Sequence, residues 1–315
     1  MSKKPLIILT GPTAVGKTSL SVKLAKAVDG EIVSADSMQV YKYMDIGTAK
    51  ITKDEMGDIP HYLISEFEPD EEFSVVKYQQ LAKKYISSIH ERNKIPILVG
   101  GTGFYIQAVL YDIDFEENES DTSYREELEQ LALTKGSDYL HGLLAKVDPN
   151  SAKAIHPNNI KRIIRALEYI KLTGNPISAH NEEQRSKESP YNYKYLVLNR
   201  DRAKLYEIIN RRVDVMIDNG LIDEVKNLLD MGYTKDMVSM QGLGYKEIIA
   251  YLEGEYSLND AIDILKRDTR HYAKRQLTWF KRERDVLWVN KDDFKDEEAI
   301  IDFMLENLTD IINHK

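Results

Sequence analysis

Gly11-Pro12-Thr13-Ala14-Val15-Gly16-Lys17-Thr18 lies between the apolar run Leu6-Ile7-Ile8-Leu9 and an amphipathic stretch over residues 19–28. That is the strand, loop and helix context a GxxxxGK[ST] match requires. Its physics is anion binding. Gly11 and Gly16 let the backbone curl so that successive N–H groups point inward at the positive end of the helix dipole, where a diphosphate or triphosphate can sit. Lys17 adds a mobile charge. Thr18 offers a hydroxyl to a magnesium ion, which takes few protein ligands and keeps waters. The loop alone leaves open which diphosphate it holds.

Working outward, Glu31-Ile32-Val33-Ser34 reads as a buried parallel strand, so Asp36 and Ser37 fall at its carboxyl end beside the loop, where open α/β sheets bind ligands. The alternative is an aspartate that caps its own loop through backbone bonds. Residues 43–69 read as irregular, and Ser74 opens a helix running to about Arg92. A third strand over 95–99 ends in Gly100-Gly101-Thr102-Gly103, where glycines allow close approach to a substrate. No aspartate ends that strand, and a motor ATPase would need one for its magnesium.

The pattern then changes. Residues 113–192 show helical periodicity without buried strands and are read as an inserted helical subdomain, interrupting a core of residues 1–112 and 193–315. Within it, Ile160, Ile163, Ile164, Leu167 and Ile170 share one helix face that ends at Gly174. Lys161, Arg162 and Arg165 leave the helix elsewhere, as a solvated face or a basic patch. Tyr195-Leu196-Val197-Leu198 returns to the sheet, and the helix after Arg202 carries Arg212 on its apolar stripe. An arginine there must snorkel outward or meet an anion. Residues 257–284 read as one long helix with Arg267, Arg270, His271, Lys274, Thr278 and Lys281 along one side, and residues 286–289 as the last strand. The expected fold is α/β, a P-loop NTPase-like parallel sheet flanked by helices.

Composition sets the outer limits. The chain has 315 residues, 42% hydrophobic and 30% charged, as in soluble globular proteins, and no apolar run of membrane-spanning length. Its basic N-terminus leads into an apolar run too short for a signal peptide. The absence of cysteine excludes disulfides, thiolate metal sites and cysteine nucleophiles. A cytoplasmic location fits. A net charge of -9 argues against indiscriminate coating of nucleic acid. Yet residues 266–284 carry eight Lys or Arg against two acids, whereas residues 112–129 carry nine acids against Arg125 alone. A concentrated basic segment can dock a polyanion, although a solvated helix face has the same composition.

Seven ordered blocks carry a resemblance: GPTAVGKT at Gly11, DSMQVYK at Asp36, MDIGTAK at Met44, LVGGTGFY at Leu98, KRIIRALE at Lys161, GLGYKE at Gly242 and KRQLTWFKR at Lys274. Along nearly its whole length the sequence resembles the bacterial tRNA dimethylallyltransferases, also called tRNA isopentenyltransferases. The resemblance implies transfer of a dimethylallyl group from dimethylallyl diphosphate to the exocyclic amine of the adenosine 3′-adjacent to the anticodon. It implies that residues 13–18 hold diphosphate rather than ATP, that Asp36 is the general base, that Thr102 contacts the same nucleotide and that Arg212 binds diphosphate. It sets Asp36, Ser37, Met38, Gln39, Thr102, Arg125, Lys161, Arg162, Ile163, Ile164 and Arg165 against tRNA. It does the same for Gln241, Gly242, Leu243, Gly244, Tyr245, Lys246, Lys274, Arg275, Gln276, Thr278 and Lys281. Lys246 and Lys281 stand where some relatives carry arginine. Eukaryotic relatives often add a zinc finger that is not in this sequence, so magnesium at Thr18 is the one metal implied. The partners implied are the tRNA anticodon stem-loop and the prenyl diphosphate, with no membrane and a monomer expected.

Two other classes share parts of the pattern. A small-molecule or nucleoside kinase would use the same loop with Asp36 as base, but has little use for the basic helix and the insertion. An RNA-binding GTPase or ATPase switch would need a Walker B aspartate or an NKxD, and neither is present.

Overall fold

The apolar runs become the centre of one sheet in the computed structural model, which describes residues 3–115 and 122–313. The described residues form six strands: β1 (Lys4–Thr10), β2 (Gly30–Ser34), β3 (His61–Tyr62), β4 (Ile95–Gly100), β5 (Tyr191–Asn199) and β6 (Val286–Asn290). Their order is β3-β2-β4-β1-β5-β6 and every pairing is parallel. Leu6, Ile7, Ile8 and Leu9 of β1 are fully buried, as a central parallel strand flanked by helices demands. The P-loop NTPase-like architecture expected from the sequence is the one observed.

β3 is the element the sequence reading missed. Its two residues follow Pro60 and pair with Ile32 and Val33, but they form no apolar run that would mark a strand. The short helix Lys53–Met56 also lies inside the stretch read as irregular. Elsewhere local signals held: Ser74 caps the helix Val75–Glu91 by accepting from the Lys77 N–H, and Gly174 ends Ile160–Thr173 in the left-handed conformation, φ 74°. The long basic helix is shorter than expected. It spans Leu258–Phe280, so Lys281 is its C-cap and Arg282 and Arg284 lie in the following turn. Leu221–Asp230 and Glu297–Asn307 are further helices that the sequence reading did not single out.

Residue contacts divide the chain into Met1–Leu110 with Ser189–Lys315, and Tyr111–Glu188. The second unit has its own core, in which Leu128, Leu140, Leu144, Ile163, Ile164 and Leu167 are buried together. Part of the acidic stretch, at 116–121, lies outside the described residues. No helix among the described residues is long and apolar enough to cross a membrane.

Candidate active site

Because all strands run parallel, the segments that follow β1, β2 and β4 emerge on one edge of the sheet. The glycine loop after β1 passes through Gly16 at φ 90°, a conformation that strains any side chain, and the helix Lys17–Val28 starts at the next residue. Lys17 turns back over the loop, its Nζ donating to the carbonyls of Gly11 at 3.0 Å and Pro12 at 2.9 Å. Burial lowers its pKa to about 8, with Asp36 working to raise it and Arg212 to lower it further. The Thr18 hydroxyl has no hydrogen-bond partner among the described residues.

Asp36 follows β2, where the sequence set it, and its carboxylate caps the loop it begins. Its Oδ1 accepts from the N–H groups of Met38 at 2.9 Å and Gln39 at 3.3 Å, capping its own loop. Its Oδ2 accepts no hydrogen bond from the described residues and is open to a proton. Thr102 is fixed beside it: the Thr102 N–H donates to the Ala35 carbonyl at 3.1 Å, and its Oγ1 accepts from the Ser37 N–H at 3.2 Å. The Tyr272 phenol lies close to the same side chain, and burial holds it protonated.

Arg212 neither snorkels to a carboxylate nor finds a hydrogen-bond acceptor among the described residues. It is half-buried, and loss of solvent lowers its pKa. Two cations short of water, Lys17 and Arg212, thus face a site whose one nearby carboxylate is Asp36. Chemically that arrangement calls for a polyanion.

A model of the IPP transferase family matches residues 39–283, more than two thirds of the sequence. The chain belongs to the IPP transferase family. It is 64% identical over 307 residues to a tRNA dimethylallyltransferase of Lachnoclostridium phytofermentans, with 98% of each chain covered. Among solved structures, a full-length tRNA isopentenylpyrophosphate transferase from Bacillus halodurans is 48% identical, with both chains wholly covered and a TM-score of 0.73. A eukaryotic dimethylallyltransferase acting on tRNA is 30% identical with a TM-score of 0.85, covering 99% of this chain and 80% of that one.

The residues that the resemblance to IPP transferases set against tRNA fall into two groups. Lys246, Lys274, Arg275, Thr278 and Lys281 are exposed, as are Lys161, Arg162 and Arg165 in the helical unit. Others have side chains that face inward. Ile163 and Ile164 lie in the core of the helical unit, because they occupy the apolar face of an amphipathic helix. Tyr245 is fully buried, and its hydroxyl donates to Glu224 at 2.7 Å. Gln276 is buried too. Arg125 is committed to a two-pronged pair with Glu168, at 2.9 and 3.0 Å. Gln39 donates its amide to the Thr48 carbonyl at 3.1 Å, and the Gln241 amide donates to the carbonyl of Lys235. Ser37, Met38, Gly242 and Leu243 are half-buried, and Gly244 is buried with its N–H donating to Glu247 at 2.9 Å. In the first half of the basic segment Lys266 pairs with Asp214 at 2.5 Å and Arg267 with Asp268 at 2.8 Å, while Arg270 keeps its charge and donates to the neutral Asn210 amide oxygen at 2.5 Å.

Sequence reasoning missed Glu224. Its carboxylate accepts the N–H groups of Asp45 (2.9 Å), Ile46 (2.7 Å) and Gly47 (3.0 Å), and so pins the Met44 block. Nothing in its local sequence marks it, since its partners lie far away along the chain. Lys291, after β6, was also missed; its Nζ lies against Gly16 and pairs with Glu297 at 3.4 Å.

Proposed function

We propose that this protein transfers a dimethylallyl group from dimethylallyl diphosphate to the exocyclic amine of the adenosine 3′-adjacent to the anticodon in tRNAs, releasing diphosphate. The observation that carries the reading is the Asp36 Oδ2, which accepts no hydrogen bond from the described residues, close to two half-buried cations, Lys17 and Arg212, that form no salt bridge among those residues. The bond from the allylic carbon to the diphosphate oxygen breaks and its electron pair leaves with diphosphate, while a bond forms from the adenine nitrogen to that carbon. The amine proton passes to Asp36. An adenine amine is a weak nucleophile because its lone pair is delocalised, so removal of that proton as attack proceeds is worth about 10²–10⁴ in rate. Charge grows on the departing diphosphate, where the loop amides, Lys17 and Arg212 stabilise the transition state more than the ground state. The base must leave its stack to reach Asp36, as in other base-modifying enzymes.

The site fits magnesium held mainly by the substrate. Thr18 offers one unpartnered hydroxyl, and the described residues hold no cluster of three or more His, Asp or Glu suited to a metal. Thr18 would supply the protein ligand, and the ion would neutralise charge on the diphosphate. Cytoplasmic location and a monomeric state complete the proposal.

The test is incubation with magnesium, unmodified tRNA and either dimethylallyl diphosphate or ATP, followed by mass analysis of the nucleosides. The expected product is one adenosine per tRNA carrying the prenyl mass, with turnover by Asp36→Ala down by about 10² and diphosphate affinity nearly unchanged. A phosphorylated product from ATP without prenyl transfer would make the protein a kinase.

A further inference from the structure

The helix Leu258–Phe280 has an outer face and an inner face with different tasks. Lys274, Arg275 and Thr278 point outward. On the inner side, at the i, i+4, i+7 spacing of one helix face, Tyr272 lies close to Thr102, Gln276 bonds Gly101, and Trp279 lies against Gly103. Three consecutive residues of the loop after β4 therefore each meet this one helix.

Gln276 does more than its neighbours. Its Nε2 donates to the Gly101 carbonyl at 2.9 Å, and its Oε1 accepts the N–H of Thr13 in the diphosphate loop at 2.8 Å. It is 6% exposed. An N–H can only donate and a carbonyl can only accept, so the two partners fix the amide's orientation, and no other uncharged side chain of this length offers both an acceptor and a donor. We propose that Gln276 is a positioning residue, a strut that sets the distance between the loop holding the donor diphosphate and the loop holding the acceptor nucleotide. This rests on the prenyl-transfer reading above. In this role Gln276 acts through Thr13 and Gly101.

The test uses the full chain and three variants. Gln276→Leu keeps much of the bulk, one atom shorter, and removes both bonds. Gln276→Glu keeps the Thr13 bond at every pH but can donate to Gly101 only when protonated; ionised, it sets an oxygen against the carbonyl. Both should lower kcat by about 10 to 10² at pH 8, because a small misplacement of reacting groups costs about that much. Because the resemblance sets Gln276 against tRNA, tRNA affinity separates the two roles: a strut leaves it and its salt dependence at wild type, and a fall in tRNA affinity in Gln276→Leu would overturn the proposal. The ratio of Gln276→Glu to wild-type kcat should climb as pH falls, by up to about tenfold per unit, while the ratio for Gln276→Leu stays flat. Because an ionised carboxylate would disturb any buried position, a climbing ratio supports the strut only together with the Gly101 coupling that follows. Gly101→Ala is the third variant: its added Cβ would lie 2.2 Å from Gln276 Nε2 and dislodge the amide. Its loss should largely vanish in the Gln276→Leu background. A flat ratio for Gln276→Glu, wild-type kcat in Gln276→Leu, or additive losses would overturn the proposal, and the Glu and Gly101 arms decide it if the Leu variant does not fold. Absence of prenyl transfer by wild type would instead overturn the proposed function, and is read separately.

Discussion

At Lys17 a single ammonium carries two opposed demands: it must be buried to lie against phosphate, and burial disfavours its charge. Its pKa in the ligand-free protein is lowered from 10.5 to about 8, chiefly by loss of solvent. Bound diphosphate brings negative charge and raises it again. Below pH 8 the lysine is charged before and after binding, so affinity does not depend on it. Above pH 8 binding must first add a proton. Affinity for inorganic diphosphate should therefore fall as pH rises through 8, by up to about tenfold per unit, with proton uptake visible by calorimetry in two buffers of different ionisation enthalpy. A Lys17→Met variant should bind weakly and show only the titration of diphosphate itself, so the Lys17 step is the difference between the two profiles, and a difference flat from pH 7 to 9.5 would contradict the assignment. The same shift has a stability consequence. The unfolded chain binds this proton up to pH 10.5 and the folded one only up to about 8, so Lys17 makes folding more favourable as pH rises between the two. The sequence named Lys17 from its spacing alone, but the depressed pKa follows from burial beside Arg212, which no spacing encodes.

Among the elements, the helix Leu258–Phe280 shows how a basic stripe divides. Lys266, Arg267 and Arg270 are spent on Asp214, Asp268 and Asn210, which leaves Lys274, Arg275 and Lys281 exposed without an acidic partner among the described residues. Replacing those three together should weaken tRNA binding and leave prenyl diphosphate affinity unchanged. Each lysine or arginine removed from a phosphate should flatten the slope of log affinity against log salt by roughly 0.7 to 0.9. Titrations of wild type and triple variant at several salt concentrations measure it. An unchanged slope would make this face solvated surface and move the tRNA path elsewhere. The helix was legible from its periodicity, but its end was not. Basic residues continue past Phe280 into a turn, so composition carried the expected helix to Arg284 when the backbone had already left it.

For the whole molecule, the division into two units makes stability local. Ile163 is fully buried in the core of Tyr111–Glu188, so Ile163→Ala should destabilise that unit by about 2–5 kcal/mol in denaturant unfolding. A loss well below about 1 kcal/mol would mean that Ile163 does not serve that core. The sequence by itself determined five of the strands, the glycine-rich loop and the starts of several helices, because each is written in a few neighbouring residues: an apolar run, a glycine spacing, a capping serine, a period of 3.6. It could not reveal β3, whose two residues are a strand only because β2 lies beside them. Nor could it say which polar atoms meet. Gln276 reaches Thr13 across 263 positions and Glu224 reaches Asp45 across 179. Only the tertiary structure decided that Gln276 and Tyr245 face inward, that Arg125 is taken by Glu168 and that Arg212 has no acidic partner among the described residues. The physical reason is that a side chain's partner is chosen by which segments the sheet brings to one edge, and that choice leaves no mark in the residues on either side of it.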